Sequence, residues 1–405
     1  MSQTVSISAE TTLGFLGAGQ LARMSAAVAF RMGLQVAVYS GVDREHDNPV
    51  NIPNSVPDKP LGLQPLELMT PLRYTGAFDH PESLIHFAKQ CTIVTLENEF
   101  LDGTILREVE DRSGTPILPS PACFQRIESK WLEKEAFRKS GLPVTPFRQI
   151  RTPEDIDKFA LEFRHPFVLK SSKGGYDGYG NLMIKTNKNH KTAFEQLGGH
   201  QGHELIAEAF IPFEKELAVQ VARNHHGTVV YPCCETIQEN HICKTVIAPA
   251  PVSAEIREQA CQLAIAAVEA IDGTGLFAFE FFLTRDGKLL LNESAPRPHN
   301  SGHYTIEGCV TSQFENHIRA IMGLPPGSTT MRKPCSVMVN LLGRRNGQAR
   351  AEGTEKIWRE PDAHLHIYGK ETSRIGRKMG HLTVLGNTFK ETLERAEYLA
   401  SIVSI

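Results

Sequence analysis

The chain has 405 residues, 41% of them hydrophobic, and its 43 Lys and Arg residues against 46 Asp and Glu residues give a formal net charge of −3. This size and composition predict a globular protein of two or three domains, and the lack of a basic excess argues against nucleic acid or an anionic membrane as a partner. No apolar run approaches the roughly 18 residues of a membrane span, and the first residues lack the basic start and apolar core of a signal peptide, so we expect a cytoplasmic protein.

The first predicted elements form a βαβ unit. A short strand leads through glycines into an apolar helix, and residues 35–39 form the next strand. Gly17, Gly19 and Ala22 have the spacing of a dinucleotide fingerprint. That fingerprint needs an acidic residue after the second strand to hold a ribose, and Tyr39 stands there instead. The pattern therefore argues against a nicotinamide cofactor and favours some phosphate at the N-terminus of the helix.

The rest of the first domain holds one candidate contact to a substrate. Residues 47–75 show no clean periodicity and are expected to form a long loop, whereas residues 92–99 predict a buried strand that ends in Glu97 and Glu99. Ligands gather at the carboxyl ends of parallel strands, so these carboxylates are candidates for substrate binding; solvated strand ends are the open alternative. Residues 116–121 close this domain.

A glycine-rich segment follows the next unit. Residues 122–140 predict one helix, and residues 166–170 predict a strand that ends in Lys170. Four glycines between residues 174 and 180 allow backbone N–H groups to approach phosphate oxygens, and Lys170 can reach the same phosphates. A flexible hairpin turn without a ligand is the alternative.

Two apolar runs, residues 277–284 and 289–291, flank Asp286-Gly287, which is a strong hairpin signal. We interpret it as a two-residue loop. The pairs expected from such a loop are Arg285 with Lys288, Phe282 with Leu291, and Glu280 with Glu293.

The expected pairing places the carboxylates of Glu280 and Glu293 opposite each other, where like charges are destabilising. A divalent cation would relieve the repulsion, and Mg²⁺ commonly binds one or two carboxylates together with substrate phosphates. A register slipped by one residue, or a solvated strand end at Glu293, remains open. The same count turns Asn292 to the opposite face unless the strand bends.

Two later segments suit anions. The loop at residues 295–303 is crowded with hydrogen-bond donors and suits an oxyanion, although a hydrogen-bonded turn is the alternative. The basic residues Arg374, Arg377 and Lys378 lie among glycines after a strand and predict an anionic substrate, although a solvated face is the alternative. The donors of the first loop are Arg297, His299, Asn300, Ser301 and His303.

A lysine after a strand, a glycine-rich loop and two carboxylates on an antiparallel pair, in this order, resemble the ATP-grasp ligases. Longer motifs resemble one family of them, the N5-carboxyaminoimidazole ribonucleotide synthetases of purine synthesis. The matching motifs are GAGQLARM at 17–24, GGYDG at 174–178, NESAPRPHNSGH at 292–303, SQFE at 312–315, YGK at 368–370 and GRKMGH at 376–381.

This resemblance implies an α/β (α+β) ATP-grasp fold of three domains: a Rossmann-like domain at 1–121, a connecting helix and lid at 122–205, and a mixed-sheet domain at 206–405. It implies ATP and Mg²⁺ as cofactors, a homodimer, and ATP-dependent carboxylation of aminoimidazole ribonucleotide by bicarbonate through carboxyphosphate.

The resemblance also implies roles for individual residues. Glu280 and Glu293 would hold Mg²⁺, while Asp177, Arg297, His299 and Asn300 would act in catalysis. Residues that would bind the nucleotide are Lys130, Lys170, Gly175, Tyr176, Asp177, Gly178, Tyr179, Gly180, Asn181, Glu208, Ala209, Phe210, Ile211, Glu216, Gln238, Asn292 and Glu293. Residues that would bind the ribonucleotide substrate are Gln20, Leu21, Glu97, Tyr176, Lys370 and Arg377.

The sequence departs from the family pattern at a few positions. Tyr179 and Asn181 stand where the family has a cation and Gln, and Gln238 replaces a histidine. These departures motivate an alternative, an ATP-grasp paralogue that ligates a different acid to a different amine. A catalytically silent nucleotide-binding protein is a third hypothesis, and the retained carboxylates at 280 and 293 argue against it.

Overall fold

The computed structural model describes residues 7–41, 63–97, 101–174, 180–186, 190–239 and 241–405. The first part contains a parallel sheet whose described strands lie in the order β3-β2-β1-β4-β5. This is the expected Rossmann-like arrangement, and the strand order reverses between β1 and β4. The elements are β1 Thr12–Leu16, α1 Gln20–Arg31, β2 Gln35–Gly41, β3 Leu72–Gly76, α2 Pro81–Ala88, β4 Ile93–Leu96, α3 Gly103–Ser113, β5 Ile117–Leu118 and α4 Pro121–Ile127.

Two sequence expectations about this region are wrong in part. The long loop expected at 47–75 includes most of β3, whose residues are only half-buried because β3 lies at the edge of the sheet; residues 47–62 fall outside the described ranges. The single helix expected at 122–140 is two helices, α4 and α5 (Lys130–Lys139). Ser129 interrupts it, because its backbone is extended and its hydroxyl accepts a hydrogen bond from Leu132 N (3.2 Å) as the N-cap of α5.

The second unit is an antiparallel sheet with the described strand order β6-β9-β7-β8. Its inner face packs on α6 and α7 through a cluster that includes Phe159, Phe167 and Leu169. Since side chains alternate along a strand, Lys170 on β7 and Glu208 on β9 lie on the opposite face. The elements are β6 Phe147–Ile150, α6 Pro153–Phe163, β7 Phe167–Ser171, β8 Asn181–Ile184, α7 His190–Gln196 and β9 Leu205–Ala209.

The remaining chain builds an antiparallel sheet in which the described strands run β15-β14-β10-β12-β13-β16-β20-β18, with β11 beside β10. Helix α8 packs on one face through a cluster that includes Val219, Phe277 and Phe279. The elements are β10 Phe213–Asn224, β11 Gly227–Val230, β12 Cys234–Glu239, β13 Ile242–Ala248, α8 Ala254–Ala270, β14 Gly275–Thr284, β15 Leu289–Ala295, α9 Thr305–Gly308, α10 Gln313–Ile321, β16 Cys335–Leu342, β17 Gly347–Gln348, β18 Ala363–Ile367, β19 Thr372–Ser373, β20 Lys378–Gly386 and α11 Phe389–Ser401.

The Rossmann-like domain is joined to the large sheet by a continuous core. Ala22 and Ala26 of α1 belong to the same apolar cluster as Ile318 and Ile321 of α10. Beside this cluster His317 hydrogen-bonds through Nε2 to Thr95 Oγ1 (3.0 Å) and through Nδ1 with Leu276 N (3.3 Å). No helix among the described residues is long and apolar enough to cross a membrane.

Candidate active site

The hairpin of β14 and β15 has a three-residue loop. Thr284 N donates to Lys288 O (2.9 Å), and Gly287 has a φ of +80°, the left-handed conformation that a three-residue hairpin loop uses. The expected two-residue loop is therefore wrong. As a consequence Phe282 lies opposite Leu290, one residue away from the Leu291 that we expected.

A β-bulge corrects the register further along the same pair. Phe281 pairs with Leu291 and Glu280 pairs with Glu293, so Asn292 is the extra residue on β15. The predicted opposition of Glu280 and Glu293 is confirmed, although it arises from two offsetting features that the sequence count did not contain. The bulge also supplies the bend that a role for Asn292 requires.

Helix α5 lies directly beside this bulge. Lys130 Nζ is 3.5 Å from Glu293 Oε2, and Lys134 Nζ donates to the carbonyl oxygen of Asn292 (2.8 Å). The Glu133 carboxylate accepts hydrogen bonds from the backbone N (2.6 Å) and hydroxyl (2.5 Å) of Ser294. Burial raises the pKa of Glu133 to about 7, against the hydrogen bond from Ser294 and the neighbouring lysines. Sequence reasoning missed Glu133, and the position of Lys134 in a predicted helix gave no sign of its contact.

The two facing carboxylates have opposite pKa shifts. Burial, and then the charge of Glu293, raise the pKa of Glu280 well above its usual range. Burial alone would raise the pKa of Glu293 too, but the charges of Lys130 and Lys170 lower it. When no cation lies between them, the ionised form is therefore disfavoured at Glu280 and favoured at Glu293.

The residues around this pair fit a hard divalent cation. Asn292 Oδ1 is buried with no hydrogen-bond partner in the described part of the chain, and Asn292 directly precedes Glu293 on β15. A cation would relieve both the orphaned oxygen and the facing carboxylates. Within the described residues no group of three or more His, Cys, Asp and Glu side chains is placed to hold a metal, so phosphate oxygens and water would have to complete the coordination.

A third carboxylate lies on the same face of the large sheet. Glu216 on β10 pairs with Phe282 of β14 and with Thr236 of β12. Burial raises the pKa of Glu216, and a hydrogen bond with the Gln238 side chain opposes that rise. Gln238 therefore contacts the carboxylate that we predict to hold the ribose.

Lys134 of α5 and Lys170 of β7 lie close together on the face of the β6-β9-β7-β8 sheet that does not pack on α6 and α7. Lys170 Nζ lies 3.1 Å and Lys134 Nζ 3.4 Å from Glu208 Oε2. Although burial acts to raise it, the pKa of Glu208 is lowered to about 2 by these two lysines. Glu208 therefore stays ionised and fixes the ammonium groups of Lys134 and Lys170 at this end of the face.

An apolar cleft of about 390 Å³ lies at the other end of this face. Phe167 of β7 pairs with Ala209, so Pro166 and Phe210, one residue further along, lie on the same face as Lys170 and Glu208. Four residues of β strand span roughly 13 Å from Pro166 to Lys170, the length of a nucleoside triphosphate. The lining residues are His165, Pro166, Met183, Lys185 and Phe210.

The predicted glycine loop lies only in part within the described residues. Gly175, Tyr176, Asp177, Gly178 and Tyr179 fall outside them. Both ends of the loop are fixed near the lysine, because Ser171 N donates to Gly180 O (2.8 Å) and Lys170 pairs with Asn181. The loop therefore starts and ends beside Lys170.

The donor-rich loop approaches the facing carboxylates. His299 Nδ1 is 3.7 Å from Glu280 Oε1, and it accepts from the backbone N of Ser301 (3.4 Å). Burial, together with the charges of Arg297 and Lys378, lowers the pKa of His299 to about 3, so its imidazole is neutral. Asn300 exchanges two hydrogen bonds with Asn340 (2.9 and 2.6 Å), which fixes its side chain.

Four predicted substrate residues meet at the reversal of the parallel sheet. The Glu97 carboxylate lies against Gly19, where an added Cβ would be 2.4 Å from Oε1, so it sits beside Gln20 and Leu21 at the start of α1. Arg23 donates to the carbonyl oxygen of Tyr368 (2.9 Å), which brings Lys370 to the same end of α1. Arg377 is partly exposed and donates to Thr372 O (2.9 Å).

Comparisons with known proteins agree with this geometry. Residues 135–314 match the ATP-grasp domain model, and residues 336–395 match the model of the phosphoribosylaminoimidazole carboxylase C-terminal domain. The N5-carboxyaminoimidazole ribonucleotide synthase of Bacillus subtilis is 36% identical over 375 residues, covering 92% of this chain and 91% of that protein. The chain belongs to the N5-carboxyaminoimidazole ribonucleotide synthase family.

Two further members extend the comparison. The crystal structure of the synthase from Aspergillus clavatus, in complex with ADP and 5-aminoimidazole ribonucleotide, superposes with a TM-score of 0.82 at 34% identity and covers 98% of this chain and 99% of that one. The phosphoribosylaminoimidazole carboxylase of Ogataea methanolica is 36% identical, with 96% of this chain covering 69% of that longer protein. The ATP-grasp fold expected from the sequence is confirmed, and the protein is an ATP-grasp ligase.

Proposed function

We propose that this synthase family member uses ATP to carboxylate 5-aminoimidazole ribonucleotide with bicarbonate, giving N5-carboxyaminoimidazole ribonucleotide, ADP and phosphate in purine biosynthesis. The observation that carries the proposal is the confirmed pair of carboxylates, Glu280 and Glu293, beside three lysines and at the foot of a triphosphate-sized face. The names of the relatives support the substrate, and they do not favour a paralogue acting on another amine.

The apolar cleft at Phe210 suits the adenine base, and the segment Glu208, Ala209, Phe210 and Ile211 borders it. Glu216 suits the ribose hydroxyls, with Gln238 orienting its carboxylate. Lys130 and Lys170 would bind the phosphates, under the glycine loop. Glu280, Glu293 and Asn292 would hold Mg²⁺, which when bound neutralises charge on the transferring phosphoryl group.

The reaction needs ATP because bicarbonate is a weak electrophile. An oxygen of bicarbonate attacks the γ-phosphorus and ADP leaves, which gives carboxyphosphate. The exocyclic amine of the ribonucleotide then attacks the carboxyl carbon, and phosphate leaves. Enclosure beneath the glycine loop would keep water from hydrolysing the intermediate.

The donor-rich loop suits bicarbonate. Because His299 is neutral and its Nδ1 accepts from Ser301, its proton lies on Nε2, which can donate to an oxygen of bicarbonate. Arg297 supplies positive charge, and Asn300, fixed by Asn340, supplies an amide. These residues would hold bicarbonate beside the γ-phosphate and stabilise charge that develops on its oxygens.

The ribonucleotide would lie at the start of α1. Gln20, Leu21 and Glu97 surround the crevice where ligands of parallel sheets bind, and Lys370 brings a cation for the phosphate. Arg377 is proposed as a second cation. Tyr176 and Asp177, which lie outside the described residues, stay predictions from the family motif, as do a homodimer and a cytoplasmic location.

A coupled assay of ADP release tests the proposal. Turnover should require aminoimidazole ribonucleotide and bicarbonate together, and omission of either should reduce it to background. Stimulation by a different amine, with none by aminoimidazole ribonucleotide, would overturn the proposal in favour of a paralogue. ADP release that Glu293→Gln leaves unchanged would point to a protein without this chemistry.

A further inference from the structure

We propose that Glu133 and Lys134 are positioning residues that hold the β-bulge at Asn292 and so direct Glu293 toward Glu280. This inference rests on the metal role proposed for Glu293. Neither residue touches that carboxylate in the structure. Both act on the backbone on either side of it, through Asn292 O and Ser294 N.

Strand β15 is the outermost of the described strands of its sheet, and on its outer side Leu291 forms an isolated bridge with Val144. Before the bulge, Leu291 N donates outward to Pro143 O (2.7 Å). After it, the outward groups are Asn292 O and Ser294 N, which bond to Lys134 and Glu133. In a regular strand both polar groups of a residue point to one side and alternate residues share that side. The outward-pointing backbone groups belong to residue 291 before the bulge and to residues 292 and 294 after it. This change of parity is the shift by one residue that the bulge introduces.

Glu133 and Lys134 can bond to the strand only in this bulged register. Without the extra residue, the groups of residues 291 and 293 would point outward, and those of 292 and 294 would turn toward β14. A one-residue slip also moves side chains to the other face of a sheet. Glu293 would then leave the face that carries Glu280 and Glu216.

The burial of both side chains strengthens this reading. Glu133 is 4% and Lys134 is 2% exposed, and charged side chains are almost never buried this deeply unless they are paired. Lys134 also donates to Thr145 Oγ1 (2.8 Å) and forms an ion pair with Glu208. The Glu133 carboxylate accepts two hydrogen bonds, both from Ser294, and is therefore the simpler side chain to change.

The test compares Glu133→Ala with Glu133→Gln, which keeps an oxygen acceptor of the same reach. The first measurement is amide hydrogen exchange of peptides covering 289–296 in protein free of nucleotide and metal. The second is the affinity of the ADP complex for Mn²⁺, measured by electron paramagnetic resonance. The third is the affinity for ADP in the presence of EDTA.

For Glu133→Ala we expect exchange at Ser294 to rise at least about tenfold and Mn²⁺ affinity to fall roughly 10–100-fold, as when an outer partner of a metal ligand is lost. ADP affinity in EDTA should stay within about twofold, and Glu133→Gln should remain close to wild type in all three measurements. If Glu133→Ala does not fold, Glu133→Asn, whose amide is too short to reach Ser294, carries the same expectation.

Unchanged exchange and unchanged Mn²⁺ affinity in the folded variant would overturn the inference, as would a Glu133→Gln variant as impaired as Glu133→Ala. Failure of the metal role is distinguishable from this result. If Glu293→Gln leaves Mn²⁺ affinity unchanged, the proposed cation site is wrong, whereas the exchange of Ser294 still tests whether Glu133 holds the bulge.

Discussion

Glu280 and Glu293 lie opposite each other on β14 and β15, although the loop between the two strands alone would have placed them out of register. The three-residue loop shifts the pairing by one residue, and the extra residue Asn292 shifts it back. This arrangement costs free energy, because like charges that face each other on paired strands repel. A cation bound between the two carboxylates would offset the repulsion, so the cost remains in the metal-free protein.

Replacing Glu280 with Gln should stabilise the metal-free protein. The substitution removes a part-buried carboxyl group whose ionised form is disfavoured by burial and then by the charge of Glu293, so we expect the free energy of unfolding at pH 8 in EDTA to rise by about 1 kcal/mol. ADP formation should fall at least about 100-fold. Urea denaturation measures the first effect, with Glu269→Gln on the exposed side of α8 as the matched control. A less stable Glu280→Gln protein in EDTA would contradict the repulsion.

Truncating Phe210 should weaken ATP binding selectively. Phe210→Ala removes an aromatic wall of the apolar cleft, and we expect KM for ATP to rise roughly tenfold, about 1.4 kcal/mol, with KM for the ribonucleotide within about threefold. Steady-state kinetics with each substrate varied in turn measure both values. Leu161→Ala, at a site 85% exposed on α6, is the control. An unchanged KM for ATP would place adenine elsewhere.

Removing the charge of Lys370 should affect the other substrate. The Arg23 contact to Tyr368 brings Lys370 to the start of α1, so Lys370→Ala should raise KM for aminoimidazole ribonucleotide at least about tenfold, as expected for a lost charge-assisted contact to phosphate. KM for ATP should change less than about threefold. Lys356→Ala is the matched control, since Lys356 bonds to Tyr398 on the C-terminal helix. Equal effects of the two variants would exclude the phosphate role.

Stability should depend on pH through His317. Burial lowers the pKa of His317 to about 4, while in the unfolded chain it is about 6.5. Between these values the unfolded state binds one more proton, so this contribution to stability is present above about pH 6.5 and is lost as pH falls toward 4.

The measurement is the difference in unfolding free energy between wild type and His317→Gln at several pH values. Other histidines contribute equally to both proteins and cancel. The wild type should lose about 1.2 kcal/mol relative to the variant from pH 6 to pH 5. A difference that is constant across this range would show that His317 is not neutral between Thr95 and Leu276.

Local sequence signals predicted most of the fold. Glycines between a short strand and an apolar helix placed β1, α1 and β2. The edge strand β3 was missed because its half-buried residues carry no strong apolar pattern. The break at Ser129 was missed because an N-cap serine inside a continuous helical pattern is hard to distinguish from a helical serine.

The candidate site was predicted less completely. Asp-Gly located the hairpin, but neither the loop length nor the bulge follows from residue types alone, because both depend on what the edge of β15 meets in space. Glu133 and Lys134 meet it, and they lie some 160 positions earlier in the chain. Contacts of such sequence separation leave no periodic signal, whereas Lys170 and the glycines at 174–180 are close in sequence and form a local pattern that can be recognised.

Transfer of ¹⁸O from labelled bicarbonate to inorganic phosphate tests the central claim most directly. If bicarbonate attacks the γ-phosphorus of ATP, each phosphate released with ribonucleotide present should carry one ¹⁸O atom from bicarbonate, as measured by mass spectrometry. Carboxylated product formed together with unlabelled phosphate would contradict the account.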